Sequence, residues 1–197
     1  MIALLLSGGI DSIALAHWQR PDLVITIDYG QRPAPAEIAA AGQVASDLDI
    51  RHVVICVDCS SIGSGDMIGS QPMSIAPASE WWPFRNQLLV TVAGSQALAY
   101  GVTELQTGSV ASDSLHADGR AEFYRKLDEL MSMQEGGIRV SAPAISMSTV
   151  QLVKISAVPR ALLSWAHSCH YSEFACGACR GCVKHYGVME ELYGVAY

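Results

Sequence analysis

Ile2-Ala3-Leu4-Leu5-Leu6-Ser7-Gly8-Gly9-Ile10-Asp11-Ser12-Ile13-Ala14-Leu15-Ala16-His17-Trp18 is the stretch whose reading decides the fold. Its opening apolar run, Ile2 to Leu6, reads as a buried strand. Gly8-Gly9 reads as a tight turn, and the second apolar run from Ile10 as the start of a helix. A strand, a glycine turn and a helix in that order gather unpaired backbone N–H groups at a helix N-terminus. The hydroxyls of Ser7 and Ser12 stand beside them. Such a corner suits a phosphate group. The loop lacks a Gly-Lys-Ser/Thr ending, so it is not a Walker A loop. The same residue types also serve an ordinary strand–turn–helix corner, because Ser, Gly and Asp favour turns and N-caps.

The alternation continues outward from this corner. Leu23 to Asp28 reads as a second apolar strand, and Ala36 to Leu48 as a helix with Ile38, Ala41, Val44, Ala45 and Leu48 at helical spacing. Val53 to Val57 reads as a third strand. Asp58 to Ser79, rich in Ser, Gly, Pro and Met, reads as a loop excursion. Asn86 to Tyr100 reads as a helix apolar on most sides, hence well buried. Short strands at Glu104–Thr107 and Ile138–Ala142 flank an amphipathic helix over Ala121–Met133, and Pro143 stops the second of them. Thr149 to Val158 reads as a short helix, and another closes the chain near Cys182–Leu192. Strands separated by such helices predict βαβ units: a doubly wound, mostly parallel α/β sheet with helices on both faces. Ligands of such sheets sit beyond the carboxyl ends of the strands. That rim would carry the Ser7–Ser12 loop, Asp28–Arg32 and the Thr107–Arg120 stretch.

The chain of 197 residues is long enough for one compact core, and half of it is apolar. No apolar run approaches the ~20 residues that span a bilayer, and no basic start precedes a long apolar stretch. A cytoplasmic location and no membrane partner are expected. The formal net charge is −7 with no Lys or Arg cluster, which argues against a broad grip on a nucleic-acid backbone. Small phosphorylated ligands need only local N–H groups and stay open.

Six cysteines occur, and four of them, Cys169, Cys176, Cys179 and Cys182, crowd near the C-terminus. Without a secretory signal, such clustering favours metal ligation over disulfides. Four thiolates suit a structural Zn²⁺. An iron–sulfur cluster, a redox pair at Cys179 and Cys182, or free buried thiols are the alternatives. His167, His170 and His185 lie nearby as substitute ligands. Cys56 and Cys59 have no partner at useful spacing and read as packing residues. The expected organisation is a nucleotide-binding domain over residues 1–160 and a C-terminal zinc-binding segment over 161–197, packed on the same domain.

Taken together and in order, Ser7-Gly8-Gly9-Ile10-Asp11-Ser12, Asp28-Tyr29-Gly30-Gln31-Arg32, Pro83-Phe84-Arg85-Asn86 and Cys169…Cys176-Gly177-Ala178-Cys179…Cys182 resemble the 7-cyano-7-deazaguanine synthase family. The resemblance covers roughly residues 1–190. It implies a sheet of the PP-loop (adenine nucleotide alpha hydrolase-like) type. It implies an enzyme of the queuosine and archaeosine precursor route, a ligase forming AMP and pyrophosphate. Its substrates would be ATP with Mg²⁺, ammonia and the carboxylate of 7-carboxy-7-deazaguanine, with structural Zn²⁺ and a homodimeric state.

Ser7, Gly8, Gly9, Asp11 and Ser12 would then hold the pyrophosphate, Asp11 also reaching Mg²⁺. Asp28 and Tyr29 would flank the adenosine, although Asp28 suits a turn before Gly30 equally well. Gln31 and Arg32 would face the nucleotide or the acyl-phosphate; Arg32 reads equally as a solvated charge. Arg85 would neutralise the substrate carboxylate, with Asn86 beside it or simply capping a helix. Asp113 or Asp118 would accept paired N–H groups from a guanine-like edge, Asp118 competing as a cap for the helix from Ala121. Arg120 belongs to that stretch. Lys154 would be a catalytic lysine or a surface charge. Asp113 to Arg120 departs from the family's usual Asp…Gly-Tyr-Pro-Asp-Cys-Arg pattern, and Phe84 stands where the family has Gly. Alternatives are a relative that transfers the activated acyl group to another amine, such as a protein amine, a PP-loop enzyme acting on tRNA, and a non-catalytic nucleotide-binding module.

Overall fold

The computed structural model describes residues 1–195; positions 196 and 197, the end of the expected C-terminal segment, lie outside the described residues. Five strands form one parallel sheet in the order β3-β2-β1-β4-β5, comprising β1 (Ile2–Leu5), β2 (Leu23–Asp28), β3 (Arg51–Cys56), β4 (Glu104–Gln106) and β5 (Arg139–Ser141). The registers are continuous: Leu4 faces Val24 on one side and Gln106 on the other. The chain winds outward from β1 to β3, returns, and then winds outward through β4 to β5. Strand order therefore reverses between β1 and β4, the position where open α/β sheets bind ligands.

Helices cover both faces. Helices α1 (Ile10–Gln19), α2 (Ala34–Leu48), α5 (Thr149–Ser156), α6 (Arg160–Leu163) and α7 (Arg180–Tyr193) share a core with β1 that includes Leu4, Ile13, Val44, Leu152, Leu163 and Met189. Helices α3 (Arg85–Ala97) and α4 (Ala121–Ser132) enclose a second core with Ile25, Val90, Leu105, Leu127 and Val140. Each apolar side chain fully buried in these layers contributes about 1.5–3 kcal/mol. The doubly wound α/β architecture is thus present. Among the described residues no helix is long and apolar enough to cross a membrane.

Several boundaries differ from the sequence reading for local reasons. Helix α2 begins at Ala34 rather than Ala36, because Pro35 in the first turn has no N–H to lose there. Helix α3 begins at Arg85, after Phe84 takes a left-handed conformation, and a 3₁₀ turn at Leu98–Tyr100 finishes it. It is also less buried than its composition implied: only Val90, Ala93, Gly94 and Ala97 are fully enclosed. Helix α6 was not foreseen; at four residues it is too short to show a period.

The excursion 58–84 folds back onto the sheet. Trp82 is fully buried, and its ring stands edge-on to Tyr29 at 4.9 Å. Met67 and Glu80 are buried with it.

Candidate active site

A cavity of about 450 Å³ opens at the strand-order reversal, lined by the Ser7–Ser12 loop, Tyr29, the start of α3, the segment after β4 and the start of α7. The loop has the geometry its sequence demands. Gly8 adopts φ +77° and lies so close to α2 that a Cβ would sit 2.8 Å from the Glu37 carbonyl oxygen. Only glycine meets both conditions. Gly9 precedes α1 in extended conformation, and no side chain caps the helix. Ser12 Oγ donates to the Gly9 carbonyl at 3.0 Å and lies 3.3 Å from Ser7 Oγ. The first-turn N–H groups of α1 and two hydroxyls thus gather beside the cavity.

Asp11 is the acidic centre of this corner. Thr149 Oγ1 donates to one carboxylate oxygen at 2.6 Å, and Lys184 Nζ donates to the other at 2.8 Å. Lys184 Nζ also lies 3.6 Å from Asp113. Burial pushes the Asp11 carboxyl up, and Lys184 and Thr149 oppose that shift. The Asp113 carboxylate also accepts the Val110 N–H at 3.0 Å, which ties it to the turn after β4.

A second group lines the far wall. The Arg85 guanidinium approaches Met67 Sδ at 3.0 Å. Asn86 donates from its backbone N–H to the Asp118 carboxylate at 3.2 Å and from Nδ2 to the Asp118 carbonyl at 2.9 Å. Asp118 therefore serves the first turn of α3, whereas the N-cap position of α4 is Arg120. Burial pushes the Glu37 carboxyl up to about 7, against the hydrogen bond it accepts from Gln31 Nε2 at 2.8 Å. Gln31 is itself buried and accepts the Tyr29 N–H, so it holds the end of β2 rather than a ligand.

Glu80 binds Arg180 at 2.7 Å and His116 at 3.4 Å. Burial favours its neutral form, but those two partners prevail and hold the carboxyl down at about 2. Burial and the Arg85 charge push His170 down to about 4, so its ring is neutral at pH 7.

Of the residues singled out in the sequence, Ser7, Gly9, Asp11, Ser12, Tyr29, Arg85, Asn86, Asp113 and Asp118 line the cavity. Gly8, Asp28, Arg32, Arg120 and Lys154 are not among its lining. Asp28 accepts the Gly30 N–H at 3.0 Å, closing a turn. Arg32 is exposed and lies against Gly69. Arg120 is exposed and donates to the Ser114 carbonyl, and Lys154 is exposed on α5. Among the residues that sequence reasoning missed in the wall are Glu37, Glu80, Thr149, Arg180 and Lys184. Only Glu37, in the first turn of α2 soon after Asp28–Arg32, carried a local signal.

The four sulfurs of Cys169, Cys176, Cys179 and Cys182 all lie within 4.8 Å of one another, with Cys176 and Cys182 at 3.9 Å. Zinc–sulfur bonds of about 2.3 Å in a tetrahedron set the sulfurs about 3.8 Å apart, so the cluster fits such an ion. Backbone N–H groups point at the sulfurs: Cys179 to Cys176 at 3.3 Å, Cys182 to Cys179 at 3.4 Å and Tyr171 to Cys169 at 3.4 Å. Such donors stabilise thiolates. Those of Ala178 and Cys179 pull the Cys176 thiol down to about 6.

The chain is similar to known proteins over nearly its whole length. The model of the family described as queuosine biosynthesis protein QueC matches residues 1–191. The 7-cyano-7-deazaguanine synthase of Acidobacterium capsulatum is 32% identical, covering 96% of this chain and 92% of its own. Its counterparts in Chlorobium phaeovibrioides and Methanosarcina barkeri are 30% and 29% identical, over 97% and 91% of this chain and 92% and 89% of theirs. Among solved structures, the NMN synthetase of Francisella tularensis aligns with 98% of this chain and 77% of its own, at 15% identity and a TM-score of 0.47.

Proposed function

The chain belongs to the family of queuosine biosynthesis protein QueC, and from that premise we propose that it converts 7-carboxy-7-deazaguanine to 7-cyano-7-deazaguanine with ATP and ammonia. The observation that carries this reading is the uncapped α1 N-terminus, with its glycine turn, opening into the cavity at the β1/β4 reversal. A carboxylate is unreactive toward ammonia until its oxygen leaves as part of a better leaving group. In the first activation the substrate carboxylate attacks the α-phosphate of ATP, and pyrophosphate departs. Ammonia then displaces AMP and leaves the amide. The amide oxygen attacks a second ATP, again releasing pyrophosphate, and loss of AMP with the amide protons leaves the nitrile. Both carboxylate oxygens end in AMP.

The chain's residues would act by position and charge. The N–H groups from Ser7 to Ser12 would hold the departing diphosphate, as helix N-termini hold anions. Asp11 would receive Mg²⁺, which shields the negative charge of the phosphates when bound. Tyr29 would flank the adenosine. Arg85 would face the substrate carboxylate, and Asp113 or Asp118 would accept N–H groups from the deazaguanine edge. Arg32, Arg120 and Lys154 are solvent-exposed and outside the cavity. The cysteines would hold Zn²⁺ as a structural ion, in a protein working in the cytoplasm.

Incubation with ATP, ammonia and 7-carboxy-7-deazaguanine, followed by mass spectrometry, tests the reading. The nitrile, with AMP and pyrophosphate, is the expected outcome. Release of inorganic phosphate and ADP, or ATP consumption without any substituted deazaguanine, would overturn it.

A further inference from the structure

Resting on that reading, we propose that Lys184 binds the phosphates at this site: its ammonium leaves Asp11 and Asp113 for the phosphates of ATP and neutralises the pyrophosphate as it departs. Three cationic side chains line the cavity, Arg85, Arg180 and Lys184. Arg180 is engaged by Glu80 at 2.7 Å, and Arg85 sits beside Met67 on the far wall. Lys184 alone of the three bonds to the glycine loop, at 2.8 Å from Asp11. A phosphate seated on the first turn of α1 would lie within reach of that flexible side chain.

One ammonium shared by two carboxylates leaves the corner net negative, a poor receptor for a polyphosphate. Transfer of the lysine to the phosphates, with Asp11 turning to a divalent cation, resolves this conflict. The lysine's place depends on the cysteine cluster. Lys184 stands two residues beyond Cys182, and α7 begins with Cys179 as its N-cap. At Gly181 a Cβ would lie 1.9 Å from the Ser168 carbonyl oxygen, so the start of α7 is pressed against the segment carrying Cys169. Metal ligation would thereby set the register that brings Lys184 to Asp11, across 173 residues of sequence.

The test compares wild type, Lys184→Met and Lys184→Arg. It measures affinity for α,β-methylene-ATP, pyrophosphate release with 7-carboxy-7-deazaguanine, bound zinc and melting temperature. Methionine is expected to weaken analogue binding about tenfold and to slow pyrophosphate release about a hundredfold, with bound zinc unchanged. Arginine, keeping the charge, should recover most of both losses. A Lys184→Met protein that binds the analogue within about twofold of wild type and turns over within about threefold overturns the proposal. So does a loss confined to melting temperature, the mark of a purely structural ion pair, and so does failure of arginine to bind the analogue better than methionine. A wild type that binds no nucleotide at all would instead overturn the adenylation reading itself, and this inference with it.

Discussion

Asp11 concentrates the chemistry of the site in one side chain. It lines the cavity partly exposed, it accepts from Thr149 and Lys184, and desolvation raises its pKa. Replacement by asparagine keeps the shape and removes the charge. Asp11→Asn is expected to slow pyrophosphate release at least about a hundredfold, with circular dichroism unchanged, because the carboxylate would hold the Mg²⁺ that offsets the negative charge of the phosphates. Glu37 supplies a second test through pH. Its folded pKa of about 7 stands above the ordinary 4.5. A raised carboxyl contributes stability that is fully present below the unfolded pKa and lost as pH rises through the folded one. Glu37→Gln is therefore expected to gain on wild type in urea midpoint as pH rises from 4.5 to 8. Parallel curves would return Glu37 to an ordinary carboxyl.

Helix α7 joins the two halves of the site at the scale of an element. Cys179 caps its start, its first turn carries Cys182, its second turn carries Lys184, and Val188 and Met189 enter the main core. Gly181 allows this by its lack of a side chain. Propensity alone says that alanine in a helix stabilises by about 1 kcal/mol relative to glycine. The Ser168 carbonyl, 1.9 Å from where the new Cβ would lie, says the reverse. The contact should win, because it is backbone and has little room to yield. Gly181→Ala is expected to lose about 1–3 kcal/mol in denaturant unfolding and to bind zinc more weakly. A more stable variant would mean that α7 has freedom the packing denies it.

Across the whole molecule, the cysteine cluster and the cavity beside the glycine loop are joined through α7. Cys169, Cys179 and Cys182 form a small core of their own with Tyr186 packed against it, while Val188 and Met189 of α7 belong to the layer under β1. Metal removal should therefore be felt in both places. Treatment with a strong chelator is expected to lower the melting temperature by about 5 °C or more and to weaken nucleotide binding together with it. Restoration of both by added Zn²⁺ would identify the ion. Unchanged melting after complete metal loss would remove the structural role.

The alternation of apolar strands and helices, the glycine corner and the cysteine spacing were all legible in the chain, because each is a local signal. The apolar run Ile2–Leu6 ahead of Gly8-Gly9 leaves few conformations open, and Cys176-Gly177-Ala178-Cys179 presents two sulfurs in a single turn. What only the tertiary structure decided is which distant side chains meet. Lys154 and Lys184 look alike as letters, each a lysine on a helix late in the chain. Packing leaves Lys154 in solvent on α5 and brings Lys184 against Asp11. The same holds for Asp118, whose partner is Asn86 of α3 rather than the adjacent helix. Hydrophobic period reports which face of an element is buried. It carries no information on which charge from another element will stand opposite, since that depends on the register of helices packed across the sheet.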